Sequence, residues 1–208
     1  MIYVFDLDGV LIDSMPRYEA AMLSILDEAG ISYDSELIKF ITPLGYTKTA
    51  EHYITLGVND TVENMVSQMR ERLVFEYTNN IKLKPGVKEY LEKLKGENAR
   101  LFVLTASPHI VTDVCLTNNG VYHLFEKVWS VEDFGLTKSD MKLFDDVSAA
   151  IGCENSDINY FDDNLIAVTN AAKAGYFVFG VFDRHDERDT AELKEKANVF
   201  VRSFEELI

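Results

Sequence analysis

An α/β fold is predicted for this sequence: a doubly wound parallel sheet with a small helical domain inserted after its first strand. Three observations carry that expectation. The first is a short continuous apolar run, Ile2 to Phe5, that stops abruptly at Asp6-Leu7-Asp8-Gly9. Branched and aromatic residues with no polar alternation read as a strand buried on both faces. The second is the stretch from about Pro16 to Asn80, where apolar residues recur at helical spacing and no strand pattern interrupts. The third lies beyond Pro85-Gly86, where apolar runs alternate with amphipathic helices across short links. Such links imply right-handed crossovers and a parallel sheet. The expected boundaries are residues 1–14 and 84–208 for the α/β core and 15–83 for the helical insert.

Each element follows from its local pattern. Within the insert, Tyr18, Ala21, Met22, Ile25 and Leu26 fall at three- and four-residue steps, with Gly30 as a C-cap. Ala50, Tyr53 and Ile54 repeat the spacing after a turn at Gly45-Tyr46-Thr47. Val62, Val66, Met69 and Leu73 do so again behind an Asp60-Thr61 N-cap. Met22, Met65, Met69 and the aromatic positions read as core packing. In the second half, helices are expected over 87–95, from Pro108, over 141–151, 164–174 and 189–196. Strands are expected over 101–105, 127–131, 158–161, 176–182 and 199–201.

Composition excludes several classes. A chain of 208 residues that is 47% hydrophobic and 26% charged has the apolar surface to build a core, so disorder is excluded. Its formal net charge of −15 repels phosphate backbones and anionic lipid heads. The densest basic stretch, Lys82-Leu83-Lys84 through Lys95, is interleaved with Glu89 and Glu92. Nucleic-acid polymers and membranes are therefore not expected partners, and no obligate protein partner is implied. No apolar run approaches the ~20 residues that span a bilayer. Nothing at the amino terminus reads as a signal peptide. Cys115 and Cys153 are two lone thiols without metal spacing, suited to a reducing cytoplasm.

In an open parallel sheet, ligands sit beyond the carboxyl ends of the strands. Strand one ends in Asp6 and Asp8, the second in Thr105-Ala106-Ser107 and the fourth in Asp162-Asp163, while Lys138 stands at the start of the helix leading into that fourth strand. Four carboxylates converging on one crevice repel one another unless a cation sits among them, and hard oxygen ligands suit Mg²⁺. Lys138 adds positive charge, and Thr105 with the backbone N–H groups after it can hold phosphoryl oxygens. A carboxylate can attack phosphorus to form an aspartyl-phosphate, and a second acid can protonate the leaving oxygen and then activate water. This is a kit for phosphoryl transfer.

Asp6-Leu7-Asp8-Gly9-Val10, with Thr105-Ala106-Ser107, Lys138 and Phe161-Asp162-Asp163 in that order, resembles the haloacid dehalogenase-like hydrolase superfamily across nearly the whole chain. The resemblance points to its capped phosphatase and phosphoglucomutase-like branch, with a Rossmann-like core and a helical cap. It implies Asp6 as nucleophile and Asp8 as acid and base. It implies Thr105, Ala106 and Lys138 around the phosphoryl group. Mg²⁺ would be held by Asp6, the Asp8 carbonyl and Asp163, with Asp162 behind or sharing the task. The cap loop around Gly45 and Lys48 would contact substrate, Lys48 pairing with a distal phosphate or carboxylate. Departures also inform. The presence of Asp8 argues against a dehalogenase. Ser139 replaces a proline common among relatives, which leaves Lys142 as a rival to Lys138. Tyr18 stands where phosphomutase relatives often carry a cap histidine, which tilts the reading toward hydrolysis.

The expected function is therefore a Mg²⁺-dependent phosphatase, cytoplasmic, acting on a small phosphorylated metabolite of phosphoglycolate, sugar-phosphate or nucleotide type. The alternatives are a sugar phosphomutase of the β-phosphoglucomutase kind and, from another class, a non-catalytic module that binds a phosphorylated ligand. Asp13 and Ser14 are expected as helix caps, His109 as a surface histidine at a helix start, and Arg184 with His185 as a solvated run.

Overall fold

Residues 1–184 and 190–208 are described by a computed structural model, and they place a parallel sheet of six strands at the centre of the α/β part. The strands are β1 (Ile2–Phe5), β2 (Arg100–Thr105), β3 (Lys127–Ser130), β4 (Ile158–Asp162), β5 (Phe177–Val181) and β6 (Val199–Val201). Their order across the sheet is β3-β2-β1-β4-β5-β6, every neighbouring pair parallel. The chain winds outward from β1 in one direction and returns to wind in the other. The crevice where that reversal occurs lies at the carboxyl ends of β1 and β4, where such folds bind ligands. Phe5 is level with Phe161 of β4 and Val103 of β2, which brings the residues following each strand to one edge.

Both faces of the sheet are covered, which is why its strands are continuously apolar. On one face Val4, Phe102, Leu104, Tyr160 and Val178 pack against α7 (Lys142–Ile151), α8 (Leu165–Ala174) and α9 (Thr190–Lys196). On the other, Phe5, Phe161 and Phe179 form an aromatic layer with Tyr90 of α5 (Val87–Gly96) and Phe204. Phe161 and Phe179 stack at 4.2 Å and 5°. Between β2 and β3 runs α6 (His109–Asn118).

The described chain divides into two compact units, Met1–Asp13 with Lys82–Ile208, and Ser14–Ile81. The second holds α1 (Met15–Glu28), α2 (Leu37–Ile41), α3 (Gly45–Thr55) and α4 (Val62–Asn79). Met22, Tyr53, Met65 and Met69 form its core, and the buried Tyr53 hydroxyl donates to Met22 O at 3.2 Å. Thr61 caps α4 by accepting from Asn64 N, as its sequence position predicts.

Several expectations are corrected. Gly45-Tyr46-Thr47 is the first turn of α3 rather than a loop, because Gly45 at φ +72° makes the bend and the helix starts there. Ser14 occupies the N-cap position of α1 without a side-chain bond. The carboxylate of Asp13, one residue before it, accepts from Arg184 at 2.6 Å, so Arg184 is not merely solvated. β3 ends at Ser130, whose side chain opens a 3₁₀ turn from Val131. His185 and the expected helix start at Asp189 lie outside the described residues.

Candidate active site

The loop after β1 builds the site. Asp6 continues the strand, donating its N–H to Phe161 O at 2.8 Å, and is buried at 7% exposure. The chain then folds back on itself. Leu11 and Ile12 donate to Leu7 O at 2.9 and 3.0 Å, and Gly9 donates to Ile12 O at 3.1 Å. Gly9 has φ +74°, and a Cβ there would overlap Asp163 Oδ2 and stand 2.8 Å from Asp183 Oδ2. Only glycine tolerates both the backbone and the closeness of those acids.

Lys138 is the centre of the charge arrangement. Its Nζ stands 2.8 Å from Asp6 Oδ1 and 2.8 Å from Asp162 Oδ2. Its loop is fixed by the Thr137–Asp140 turn and by Asn170, which donates to the Lys138 carbonyl at 3.1 Å. The rival, Lys142, pairs with Asp146 one turn along α7 and is exposed. Asp162 is fully buried and takes three donors: Lys138, the Tyr160 hydroxyl, and Asn164 N at 2.8 Å. Asp8, half-buried, accepts from Ser107 Oγ at 2.6 Å. Thr105 is buried at the end of β2, its Oγ1 accepting from Ser107 N at 3.0 Å, and Ala106 is exposed beside it. Gly45 and Lys48 belong to the helical unit, exposed on the first turn of α3.

The electrostatics follow from crowding. Burial, and then the charges of Asp162 and Asp8, push Asp6 up to about 7 despite Lys138. Burial and the Asp162, Asp6 and Asp183 charges push Asp163 well above the usual carboxylate range. Burial alone would lower Lys138, but Asp162 and Asp6 outweigh it and hold the ammonium protonated. Asp6, Asp162 and Asp163 each offer an oxygen within 4.8 Å of the others. Asp6 Oδ1 is buried, with the Lys138 ammonium 2.8 Å away. Two buried carboxyls driven toward protonation, grouped with a third within 4.8 Å, fit a hard divalent cation. Asp6 and Asp163 are the acids with capacity for it, since Asp162 is engaged by three protein donors.

Residues outside the sequence expectation also shape this edge. Tyr160, Lys84 and Asp183 all touch it. Tyr160 sits two residues before Asp162 on one strand face, so period-two reading could have found it. Lys84 was read as part of an interleaved surface stretch, but it pairs with Asp183 behind Gly9. His109 lies at the start of α6 as expected, bridging Asp113 at 3.2 Å and Asp133 at 2.9 Å, and these acids raise its pKa. Cys115 is buried, and burial pushes its thiol up to about 12.

Comparison with known proteins gives a consistent set. A family model described as haloacid dehalogenase-like hydrolase matches residues 3–181. The validoxylamine A 7′-phosphate phosphatase of Streptomyces hygroscopicus subsp. limoneus is 22% identical, covering 99% of this chain and 95% of its own. The phosphorylated carbohydrates phosphatase of Thermotoga maritima is 24% identical over the same shares, 99% and 95%. Among solved structures, one described as a candidate beta-phosphoglucomutase from Thermotoga maritima superposes with a TM-score of 0.87 at 24% identity, covering 99% of this chain and 95% of that one. Among the described residues no helix is long and apolar enough to cross a membrane.

Proposed function

The chain belongs to the haloacid dehalogenase-like hydrolases, and on that premise we propose that it is a Mg²⁺-dependent phosphatase of a small phosphorylated metabolite, working through an aspartyl-phosphate on Asp6. The observation that carries this reading is the placement of Lys138, 2.8 Å from both Asp6 and Asp162 at the end of the first strand. Asp6 attacks phosphorus as the bond to the leaving oxygen breaks, and Asp8 gives that oxygen its proton. Asp8, now a carboxylate oriented by Ser107, takes a proton from water as the water attacks the phosphorus on Asp6 and frees the carboxylate. Lys138, Thr105 and the backbone amide at Ala106 receive the phosphoryl oxygens. Asp6, the Asp8 carbonyl and Asp163 would hold Mg²⁺, which when bound supplies positive charge against those oxygens. Asp162 holds Lys138 in place from behind.

The helical unit, residues 14–81, is read as the cap that covers a small substrate, with Gly45 and Lys48 as its contacts. Relatives named for phosphorylated carbohydrates support a small, soluble, phosphorylated substrate. The testing experiment is phosphate release with Mg²⁺ across a panel of phosphorylated metabolites, with Asp6→Asn as the blank. Release that stops in chelator and in the blank is expected. An isomerised sugar phosphate without free phosphate would assign a phosphomutase instead. Release that persists in excess chelator would remove the metal from the mechanism.

A further inference from the structure

The chemistry above makes no use of Lys84, although its ammonium is half-buried at the same edge. It lies on the segment that follows the helical unit in the chain. Its backbone N–H donates to Leu11 O at 2.9 Å, and the preceding Leu83 bridges Ile12. Its Nζ donates to Gly9 O, to Phe182 O at 3.3 Å and to Asp183 Oδ2 at 3.3 Å. An ammonium has three donors, and all three are spent. The side chains of Lys84 and Asp183 are 17% and 3% exposed. Burying such a charge is costly unless it is paired and hydrogen-bonded, as this one is.

The position of the acceptors gives the pair its meaning. Gly9 O directly follows Asp8 in the chain, while Phe182 and Asp183 follow β5, on the other side of β4 from β1. The Asp183 carboxylate and that of Asp163 both face Gly9. We propose that Lys84 is a positioning residue which, by tying the Gly9 carbonyl to the end of β5, fixes the Asp6–Asp8 loop and so keeps Asp8 within reach of the leaving oxygen. The catalytic half of this inference rests on the phosphatase reading; the loop-fixing half does not.

The test compares Asp183→Asn with the double variant Lys84→Met, Asp183→Asn. Both lack the carboxylate, so neither carries an uncompensated buried anion. They differ in whether an ammonium spans the Gly9 and Phe182 carbonyls. Amide hydrogen exchange over residues 9–12 is expected to match wild type in Asp183→Asn and to be about tenfold faster in the double variant. Aryl-phosphate turnover with Mg²⁺ is expected to show kcat about tenfold or more lower in the double variant than in the single one, with KM within about twofold. Lys84→Arg, which retains donors, is expected to recover part of the protection. Equal exchange over residues 9–12 in the single and double variants overturns the proposal, as does equal kcat. Should the wild type release no phosphate from any substrate, the phosphatase reading falls, and the exchange comparison alone decides for or against Lys84.

Discussion

Asp6→Asn is expected to end phosphate release and, without divalent cation, to make the protein more stable. The side chain is buried, and burial with the Asp162 and Asp8 charges lifts its pKa from 3.8 to about 7 against the pull of Lys138. A carboxyl whose folded-state value lies above the unfolded one binds its proton more tightly when folded. Stability therefore falls as pH rises from about 4 to about 7 and is level above that. Holding Asp6 ionised above about pH 7 then costs on the order of 4 kcal/mol, under half of that at about pH 5 and almost nothing below about pH 4. Asparagine keeps the shape and has no charge to hold. Thermal melts in chelator at about pH 8 are thus expected to put the variant ~8–16 °C above wild type, at roughly 2–4 °C per kcal/mol for a chain of this size. The gap narrows at about pH 5, and Mg²⁺ closes it by stabilising wild type selectively. A variant that melts at or below wild type at both pH values would refute the idea that Asp6 is held against repulsion.

Five further substitutions separate these contributions. Lys138→Ala strips the cation from between Asp6 and Asp162 and is expected to cost about 3–5 kcal/mol in urea unfolding along with all phosphate release, whereas the exposed Lys142→Ala stays within about 0.5 kcal/mol. Gly9→Ala sets a Cβ on Asp163 at φ +74° and is expected to lower stability by ~2 kcal/mol or more and abolish turnover. Gly45→Ala, at φ +72° with open space around it, pays only for its backbone, about 1–2 kcal/mol by the same melts. Lys48→Ala is expected to raise KM for the physiological substrate several-fold while sparing a small aryl phosphate, as steady-state kinetics on both would reveal; equal loss on both denies Lys48 a specificity role.

What was legible in the sequence follows the range of the forces involved. Ile2–Phe5 could be read as a doubly buried strand because a covered parallel sheet leaves no polar alternation, and the Thr61 cap because capping is set within three residues. Asp6, Asp162 and Lys138 were legible as candidates because strand ends in such a sheet converge whatever the details of packing. Gly45 misled because a glycine that opens a helix and one that makes a turn look alike locally. Lys84 was beyond reach for a different reason: its partner Asp183 is 99 residues away, and nothing local marks a lysine that will be buried. Lys138 could be preferred to Lys142 because a lysine one turn further along is expected to face solvent, as it does; the helix itself starts only at Lys142, so Lys138 lies in the preceding loop rather than at the helix start.

The charges at this edge also bear on how an anion enters a protein of net charge −15. Around Gly9 and the ends of β1 and β4 stand Asp6, Asp8, Asp162, Asp163 and Asp183, against the ammonium groups of Lys84 and Lys138. Both ammoniums are already committed, Lys84 to Asp183 and two carbonyls, Lys138 to Asp6 and Asp162. A phosphate dianion placed here meets a net excess of carboxylate, and each unit of like charge at about 4 Å costs roughly 4 kcal/mol at a partly screened site. Lys84, with all three donors taken, cannot offset that, and Lys138, which already holds two carboxylates, offsets it only in part. Inorganic phosphate alone is therefore expected to leave the melting temperature of wild type unchanged in chelator. With Mg²⁺ present, phosphate at a hundred times its dissociation constant is expected to add about 2.7 kcal/mol. Phosphate that protects equally in chelator would mean that Lys138, Thr105 and the Ala106 amide suffice to hold the anion, and would remove the electrostatic reason for a cation at Asp6 and Asp163.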